Sequence, residues 1–107
     1  MHLDRERRLL IHGRQAALLT RSEFAIVDLL SSRPGWVKTR EDLLAVAFTH
    51  DPDGGLDDRV IDSHVKRIRA KMRAMGAGDD WIATRMGEGY SWAGEAEQAA
   101  GLGKRTA

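Results

Sequence analysis

The stretch Asp58–Met75, DRVIDSHVKRIRAKMRAM, decides how the rest of the chain can be arranged. Five of its apolar residues follow one another at steps of four, three, four and three: Ile61, Val65, Ile68, Met72 and Met75. This spacing places them in one stripe of an α-helix, because about 3.6 residues complete a turn. We therefore predict a long helix that buries this stripe against a core.

The opposite side of this predicted helix is basic. It carries Arg59, Ser63, Lys66, Arg67 and Ala70, with Arg69 and Arg73 on one flank and Lys71 on the other. Between Arg59 and Met75 there are six Lys or Arg residues and one acid, Asp62. Such a face is either merely solvated or offers cations to a polyanion, so the neighbouring segments must decide between the two interpretations.

The composition indicates one small globular domain without a general polybasic character. The chain has 107 residues, 42% of them hydrophobic, and a formal net charge of +1. The charge is segregated, since residues 41–58 hold six acids and no Lys or Arg, and the basic helix follows at once. A nearly neutral domain with one concentrated basic face is typical of an oriented polyanion site.

Several classes of site are excluded or disfavoured by residue content. The chain has no cysteine, which excludes disulfides and thiolate metal sites. The four histidines lack metal-ligand spacing, and no nucleophile accompanies a histidine and an acid, so we predict no enzyme, no cofactor and no metal. The beginning, MHLDRERRLL, has no apolar segment of a signal peptide, and no apolar run is long enough for a membrane span. We therefore expect a cytoplasmic protein.

Two capping boxes predict two further helices. Thr20 with Glu23 opens the first, which ends near Ser31, and Thr39 with Asp42 opens the second. We expect the second helix to run over residues 40–48 and to bury these apolar side chains: Leu43, Leu44, Ala47 and Phe48.

Short strands are predicted on both sides of the helices. Residues 2–19 suggest strands around a turn at Gly13, and residues 81–84 and 90–92 suggest a hairpin with a glycine-flanked tip. Three helices followed by a hairpin describe an α+β winged helix-turn-helix, with a short N-terminal antiparallel sheet and a C-terminal β-hairpin wing. We predict this DNA-binding domain over residues 1–92 and a flexible tail over residues 93–107. The three tryptophans are expected to serve the core: Trp36, Trp81 and Trp92.

Five short motifs follow in fixed order. They are Leu19-Thr20-x-x-Glu23-Phe24, Pro34-Gly35, Thr39-Arg40-Glu41-Asp42-Leu43-Leu44, Arg59-Val60-Ile61-Asp62-x-His64-Val65-x-Arg67-Ile68-Arg69-x-Lys71, and Ile82-x-Thr84 with Gly87-x-Gly89-Tyr90. Together they resemble the C-terminal effector domain of OmpR/PhoB-type two-component response regulators. The resemblance implies a four-stranded N-terminal sheet and transcription control by binding double-stranded DNA, on direct repeats. It also implies a receiver domain outside this sequence and an upstream sensor kinase.

By position, the resemblance assigns DNA contacts to the basic helix. The residues that would face base edges in the major groove are Arg59, Ser63 and Arg67, and the fork of Arg67 suits guanine O6 and N7. The residues that would hold phosphates are His64, Lys66, Arg69 and Arg73. Asp62 has three open interpretations: it orients a neighbouring arginine, accepts from a cytosine amine, or stabilises the first helical turn.

The wing departs from the family pattern. Members commonly carry an arginine directly before the first wing glycine, where this chain has Met86, and the arginine here is Arg85. Because successive residues of a strand face opposite sides, the shift turns the side chain over. Either an irregular tip lets Arg85 reach DNA, or Met86 packs or touches sugars.

The loop at residues 49–57 resembles the transactivation loop that touches RNA polymerase in this family. Its acids suit a basic partner surface, although they would equally keep a loop soluble and away from phosphates. A second class of function also fits the layout, namely a protein-interaction module whose basic helix meets an acidic partner. The face formed by Arg59, Ser63 and Arg67 lacks the apolar anchor that protein hot spots favour, so DNA binding is the preferred hypothesis.

Overall fold

A computed structural model of the protein describes residues 1–54, 57–78 and 80–93. The elements in chain order are β1 (His2–Asp4), β2 (Leu9–His12), β3 (Gln15–Leu18), α1 (Arg21–Ser32), α2 (Arg40–His50), a 3-10 turn (Pro52–Gly54), α3 (Asp58–Ala74), β4 (Ile82–Arg85) and β5 (Gly89–Trp92). Their order and type confirm the predicted winged helix-turn-helix. Of the expected C-terminal tail, residues 94–107 lie outside the described residues, whereas Ala93 donates its N–H to the carbonyl of Trp81 at 2.8 Å.

The N-terminal sheet has three antiparallel strands in the order β1-β2-β3, with Leu3 opposite Leu10 and Leu10 opposite Ala17. The four strands implied by the resemblance were therefore wrong for this chain. The reason is that the backbone ahead of α1 reverses twice, at Arg8 (φ 57°) and at Gly13 (φ 61°), and two reversals connect three strands.

The two predicted capping boxes are confirmed. Thr20 Oγ1 accepts from the N–H of Glu23 at 3.1 Å, while a carboxylate oxygen of Glu23 accepts from the N–H of Thr20 at 2.9 Å. The same exchange joins Thr39 and Asp42 at the start of α2, at 3.1 and 3.0 Å. These bonds satisfy N–H groups that have no partner within the helix, and so each cap fixes where its helix begins.

The core is built on the predicted stripe of α3. Ile61, Val65, Ile68, Met72 and Met75 are all buried. They pack in one cluster with apolar side chains of every other layer, including Leu10, Leu19, Ile26, Leu30, Leu43, Ile82 and Trp92. Full burial of each such side chain contributes about 1.5–3 kcal/mol. The stripe therefore decides which side of α3 faces outward.

Two aromatic residues do not take the core positions expected of them. Trp36 is 60% exposed, because it follows the turn at Gly35 (φ 85°) and its ring stacks on the outside under the guanidinium of Arg33. The guanidinium carbon lies 4.8 Å from the ring centroid. Phe48 is 39% exposed because it lies about 100° around α2 from the buried Ala47. Trp81 and Trp92 are buried as predicted.

The β4–β5 hairpin, called the wing below, is attached along one strand to the connection between α1 and α2. Lys38 and Tyr90 exchange two backbone hydrogen bonds at 2.8 and 3.0 Å. Gly89 has φ 147°, and a Cβ atom there would lie 2.0 Å from the carbonyl oxygen of Lys38. The close approach at Gly89 therefore requires glycine. Among the described residues, no helix has the length and apolar character needed to cross a membrane.

Candidate nucleic-acid interface

The outward face of α3 is continuous and basic. The side of the helix away from the buried stripe exposes Arg59, Ser63, Lys66, Arg67 and Ala70, as the spacing predicted, and Arg73 on the flank is exposed as well. A shallow depression on this face is lined by Ser63, Lys66, Arg67, Ala70 and Arg73. Long cationic side chains thus surround small ones, which leaves room for close approach to the helix axis.

The N-terminal end of this face is organised by an ion pair. Asp57 caps α3 by accepting from the N–H of Arg59 at 2.9 Å, and Nη2 of Arg59 donates to Oδ2 of Asp57 at 2.8 Å. The hydrogen bond from the side chain of Arg59 lowers the pKa of Asp57, and the same bond raises the pKa of Arg59. Because both groups are exposed, Arg59 can exchange this partner for another anion without losing a buried contact.

His64 and Arg67 lie side by side on the next turn. Nη1 of Arg67 is 3.3 Å from Nδ1 of His64. Burial lowers the pKa of the half-buried His64, and the charge of Arg67 lowers it further. A neutral imidazole accepts from Arg67 at Nδ1 and then carries its proton on Nε2. His64 can thus orient Arg67 while offering an uncharged N–H donor of its own.

The guanidinium of Arg69 binds the wing. Its Nη2 donates to the carbonyl of Ile82 at 2.7 Å and to Oγ1 of Thr84 at 2.9 Å. Its guanidinium carbon also lies 5.8 Å from the ring centroid of Tyr90. The predicted phosphate anchor is therefore largely occupied by protein contacts.

Asp62 joins three elements. Its Oδ1 accepts from Nε of Arg40 in α2 at 2.9 Å and from the hydroxyl of Tyr90 in β5 at 2.6 Å. The bond to Asp62 raises the pKa of Arg40. Burial raises the pKa of Tyr90, and the bond from its hydroxyl to Asp62 raises that pKa further. Of the three interpretations of Asp62, the contacts favour the orientation of an arginine, although that arginine belongs to another helix.

Arg40 and Tyr90 were not recognised as site residues from the sequence. Each stood in a recognised motif, but nothing in the spacing along α3 connects either of them to Asp62. Only the packed structure brings the three side chains together.

The wing exposes an apolar tip. Arg85 pairs with Gly89 inside the hairpin, and its Nε donates to the hydroxyl of the buried Ser91 at 2.9 Å. Met86 is 88% exposed, just before Gly87 (φ 74°). The one-residue shift seen in the sequence therefore directs Arg85 along the hairpin and leaves Met86 at the tip.

The acidic segment between α2 and α3 caps both helices. The N–H of Asp51 donates to the carbonyl of Ala47 at the end of α2, and Asp57 caps α3. Residues 55 and 56 of this segment lie outside the described residues. Across the described ranges, no group of three or more histidine, aspartate or glutamate side chains is arranged to hold a metal ion.

Comparison with known proteins gives consistent matches. Residues 14–92 match the family described as "Transcriptional regulatory protein, C terminal". The probable transcriptional regulator ycf27 of Guillardia theta is 34% identical over 88 residues, covering 82% of this chain and 35% of that relative. The transcriptional regulatory protein BaeR of Escherichia coli O6:H1 (strain CFT073) is 38% identical over 78 residues, covering 73% of this chain and 32% of that relative. This chain thus spans about a third of the length of these curated relatives.

A solved structure supports the same fold. The DNA-binding domain of Bacillus subtilis CssR is 29% identical, with a TM-score of 0.67, and the match covers 85% of this chain and 97% of that domain. The order of helices and strands described above therefore occurs in a domain of this class.

Proposed function

Because this chain belongs to the family of C-terminal domains of transcriptional regulatory proteins, we propose that it binds double-stranded DNA sequence-specifically, as the output domain of a response regulator. The single observation that carries the proposal is the outward face of α3, where exposed arginines and Lys66 surround the small residues Ser63 and Ala70. An α-helix with its side chains is about 10–12 Å wide, and the major groove is about 12 Å wide.

In this proposal the face of α3 divides into two roles. Arg59, Ser63 and Arg67 contact base edges, with Arg67 bidentate to a guanine and oriented by His64. Lys66, Arg73 and the neutral imidazole of His64 contact phosphates and set the register of the helix in the groove.

The wing approaches the adjacent backbone or minor groove. There Met86 supplies an apolar contact to sugars, while Arg85 supports the hairpin from its side through Ser91. Because the tip lacks an outward arginine at the position of Met86, we expect the wing to add little preference for narrow A·T-rich grooves.

The wider setting belongs to the same proposal. We propose that the whole regulator carries a phosphorylated receiver domain controlled by a sensor kinase, acts in the cytoplasm and pairs on direct repeats. The acidic segment at residues 49–57 would meet RNA polymerase, and Asp53 is the acid in its described part that neither caps a helix nor accepts a side-chain bond.

The alternative of a protein-interaction module is not favoured. The α3 face exposes arginine, lysine and serine, and the exposed large apolar residues of the described chain lie elsewhere, at Leu18, Trp36, Val37, Phe48 and Met86. An acidic protein partner would meet cations here without a central apolar anchor.

Selection from a random duplex library tests the proposed function. We expect recovery of a defined motif repeated in tandem, with binding that weakens steeply as salt rises. A matched library selection with the Arg59→Ala, Arg67→Ala double variant should recover no motif while binding at low salt persists. Failure of the wild-type domain to bind any duplex at low salt would contradict the proposal and favour the protein-interaction module.

A further inference from the structure

A polar network connects α3 to the wing on the side facing α2. Asp62 receives Arg40 from α2 and Tyr90 from β5 on one carboxylate oxygen. About two helical turns further along, Arg69 reaches the carbonyl of Ile82 and the hydroxyl of Thr84 in β4. Both strands of the wing are thus bonded to charged side chains of the same helix.

The wing needs such attachments to keep a fixed direction. It consists of two strands of four residues each, and a two-stranded hairpin of this size is marginal in isolation. The backbone pairing of Lys38 with Tyr90 holds the wing along β5, whereas Met86 and Gly87 project from it. A groove separates the projecting tip from the first turns of α2 and α3 and is lined in part by Glu41, Asp58 and Glu88.

A carboxylate on a helix that faces DNA repels the phosphates, so the presence of Asp62 on α3 calls for another role. The side chain of Asp62 is 40% exposed, so it is not excluded from the field of the duplex. Arg69 likewise directs hydrogen-bond donors toward protein oxygens in place of phosphate oxygens. Asp62 thus lowers the attraction of α3 for phosphates and Arg69 has fewer donors left to offer them, while both side chains bond the wing.

We propose that Asp62 and Arg69 are positioning residues that fix the wing relative to α3, so that helix and wing meet the duplex as one preset surface. This inference rests on the proposed DNA-binding function. Because the wing is held before DNA arrives, its ordering does not have to be supplied at binding, which strengthens the complex. Neither residue contacts a base or a phosphate in this assignment.

The first test compares two variants with the same change of charge. Asp62→Ala and Asp58→Ala each remove one acid from α3, and Asp58 makes no side-chain bond within the described residues. Loss of an acid alone strengthens attraction to phosphates, so Asp58→Ala should bind the selected duplex as tightly as wild type or up to about threefold more tightly. Asp62→Ala should bind about fivefold more weakly, because the freed wing outweighs the gain in charge.

The second test is a double-mutant cycle of Asp62 and Met86. Its coupling energy would be zero if Asp62 only stabilised the fold. Met86→Asp puts a negative charge at the wing tip and should weaken binding about tenfold if the tip lies near phosphates. In the Asp62→Ala background the same change should weaken binding only about twofold to threefold, because the tip is no longer held there. Within the part of the chain that the structure describes, Met86 and Asp62 share no bonding partner, so independent effects would simply add.

Tyr90→Phe provides a variant without a change of charge. It removes the hydroxyl that donates to Asp62 and keeps the ring, so the fold is retained and binding should weaken about twofold to threefold. Hydroxyl-radical cleavage of the duplex should show weaker protection beside the site with this variant, while protection under α3 remains.

The outcomes distinguish failure of the positioning role from failure of the proposed DNA-binding function. Equal affinities for Asp62→Ala and Asp58→Ala, no effect of Met86→Asp on wild type, or an equal effect of Met86→Asp in both backgrounds would each overturn the positioning role while leaving DNA binding intact. Absence of specific binding by the wild-type domain would overturn both.

Discussion

Glu23 and Lys71, 48 residues apart in the sequence, form an ion pair that ties α1 to α3. The side chain of Glu23 is only 1% exposed, and that of Lys71 is 32% exposed. The oxygen of Glu23 that receives Lys71 also accepts the N–H of Thr20 in the capping box, and Lys71 donates in addition to the carbonyl of Leu18 at 2.8 Å. One lysine of α3 therefore links this helix to the start of α1 and the end of β3.

Removing Lys71 should destabilise the domain. Lys71→Ala leaves the buried carboxylate of Glu23 without its cation, and we expect a loss of about 2–4 kcal/mol in the free energy of unfolding, somewhat below the range for a fully buried pair because Lys71 is partly exposed. Lys66→Ala, which removes the same charge from the outer face, should change stability by less than about 0.5 kcal/mol. Urea unfolding measures both, and equal stabilities would disprove the importance of the pair.

The stability of the domain should depend on pH through His64. Burial lowers the pKa of His64 in the folded state below its ordinary value of about 6.5, so the unfolded chain binds more protons as the pH falls. The contribution of neutral His64 to the free energy of unfolding is complete above the unfolded pKa of about 6.5. It declines as the pH falls through that pKa and levels off below the pKa of the folded state. Urea midpoints of wild type and His64→Gln between pH 5 and 8 should diverge, with the variant showing the shallower decline. Parallel curves would contradict the assignment.

Lys66 and Arg69 should differ in the salt dependence of DNA binding, although each contributes one positive charge. Lys66→Ala should weaken binding to all sequences about equally and reduce the slope of log affinity against log salt by about one unit, as expected for a phosphate contact. Arg69→Met should change this slope by less than about half a unit, because its guanidinium binds Ile82 and Thr84. A full unit lost with Arg69→Met would restore its predicted phosphate role.

Gly89 should be far less tolerant of substitution than Gly87. Gly89→Ala places a Cβ atom against the backbone of Lys38 at a strongly positive φ, and we expect a loss of at least about 2 kcal/mol in unfolding free energy. Gly87→Ala meets open space at φ 74° and should lose about 1 kcal/mol from backbone strain alone. Thermal unfolding compares the two, and an equal or smaller loss at Gly89 would show that the wing can move away from Lys38.

The features that could be predicted from the sequence are those that depend on residues close together in the chain. The stripe that begins at Ile61 follows from helical periodicity, and the caps at Thr20 and Thr39 lie three residues from their partners. The order of elements then followed from these signals and from the glycines of the wing. Each of these depends on neighbours within one or two turns.

The features that were missed depend on contacts between distant residues. Periodicity places Lys71 and Arg69 on the flanks of α3, but a long flexible side chain can turn toward a partner that only the folded chain provides. Glu23 and Tyr90 are such partners. Trp36 was misplaced for a related reason, since its hydropathy favours burial while the turn at Gly35 directs it outward.

The most direct test of the central claim is the affinity of wild type and Arg67→Ala for the selected duplex and for a duplex altered at one guanine. For wild type we expect the altered duplex to bind about 1–3 kcal/mol more weakly, and for Arg67→Ala we expect both duplexes to bind with nearly the same, reduced affinity. The comparison is repeated for each guanine of the motif. If Arg67→Ala kept the full preference at all of them, base reading by this face of α3 would be contradicted.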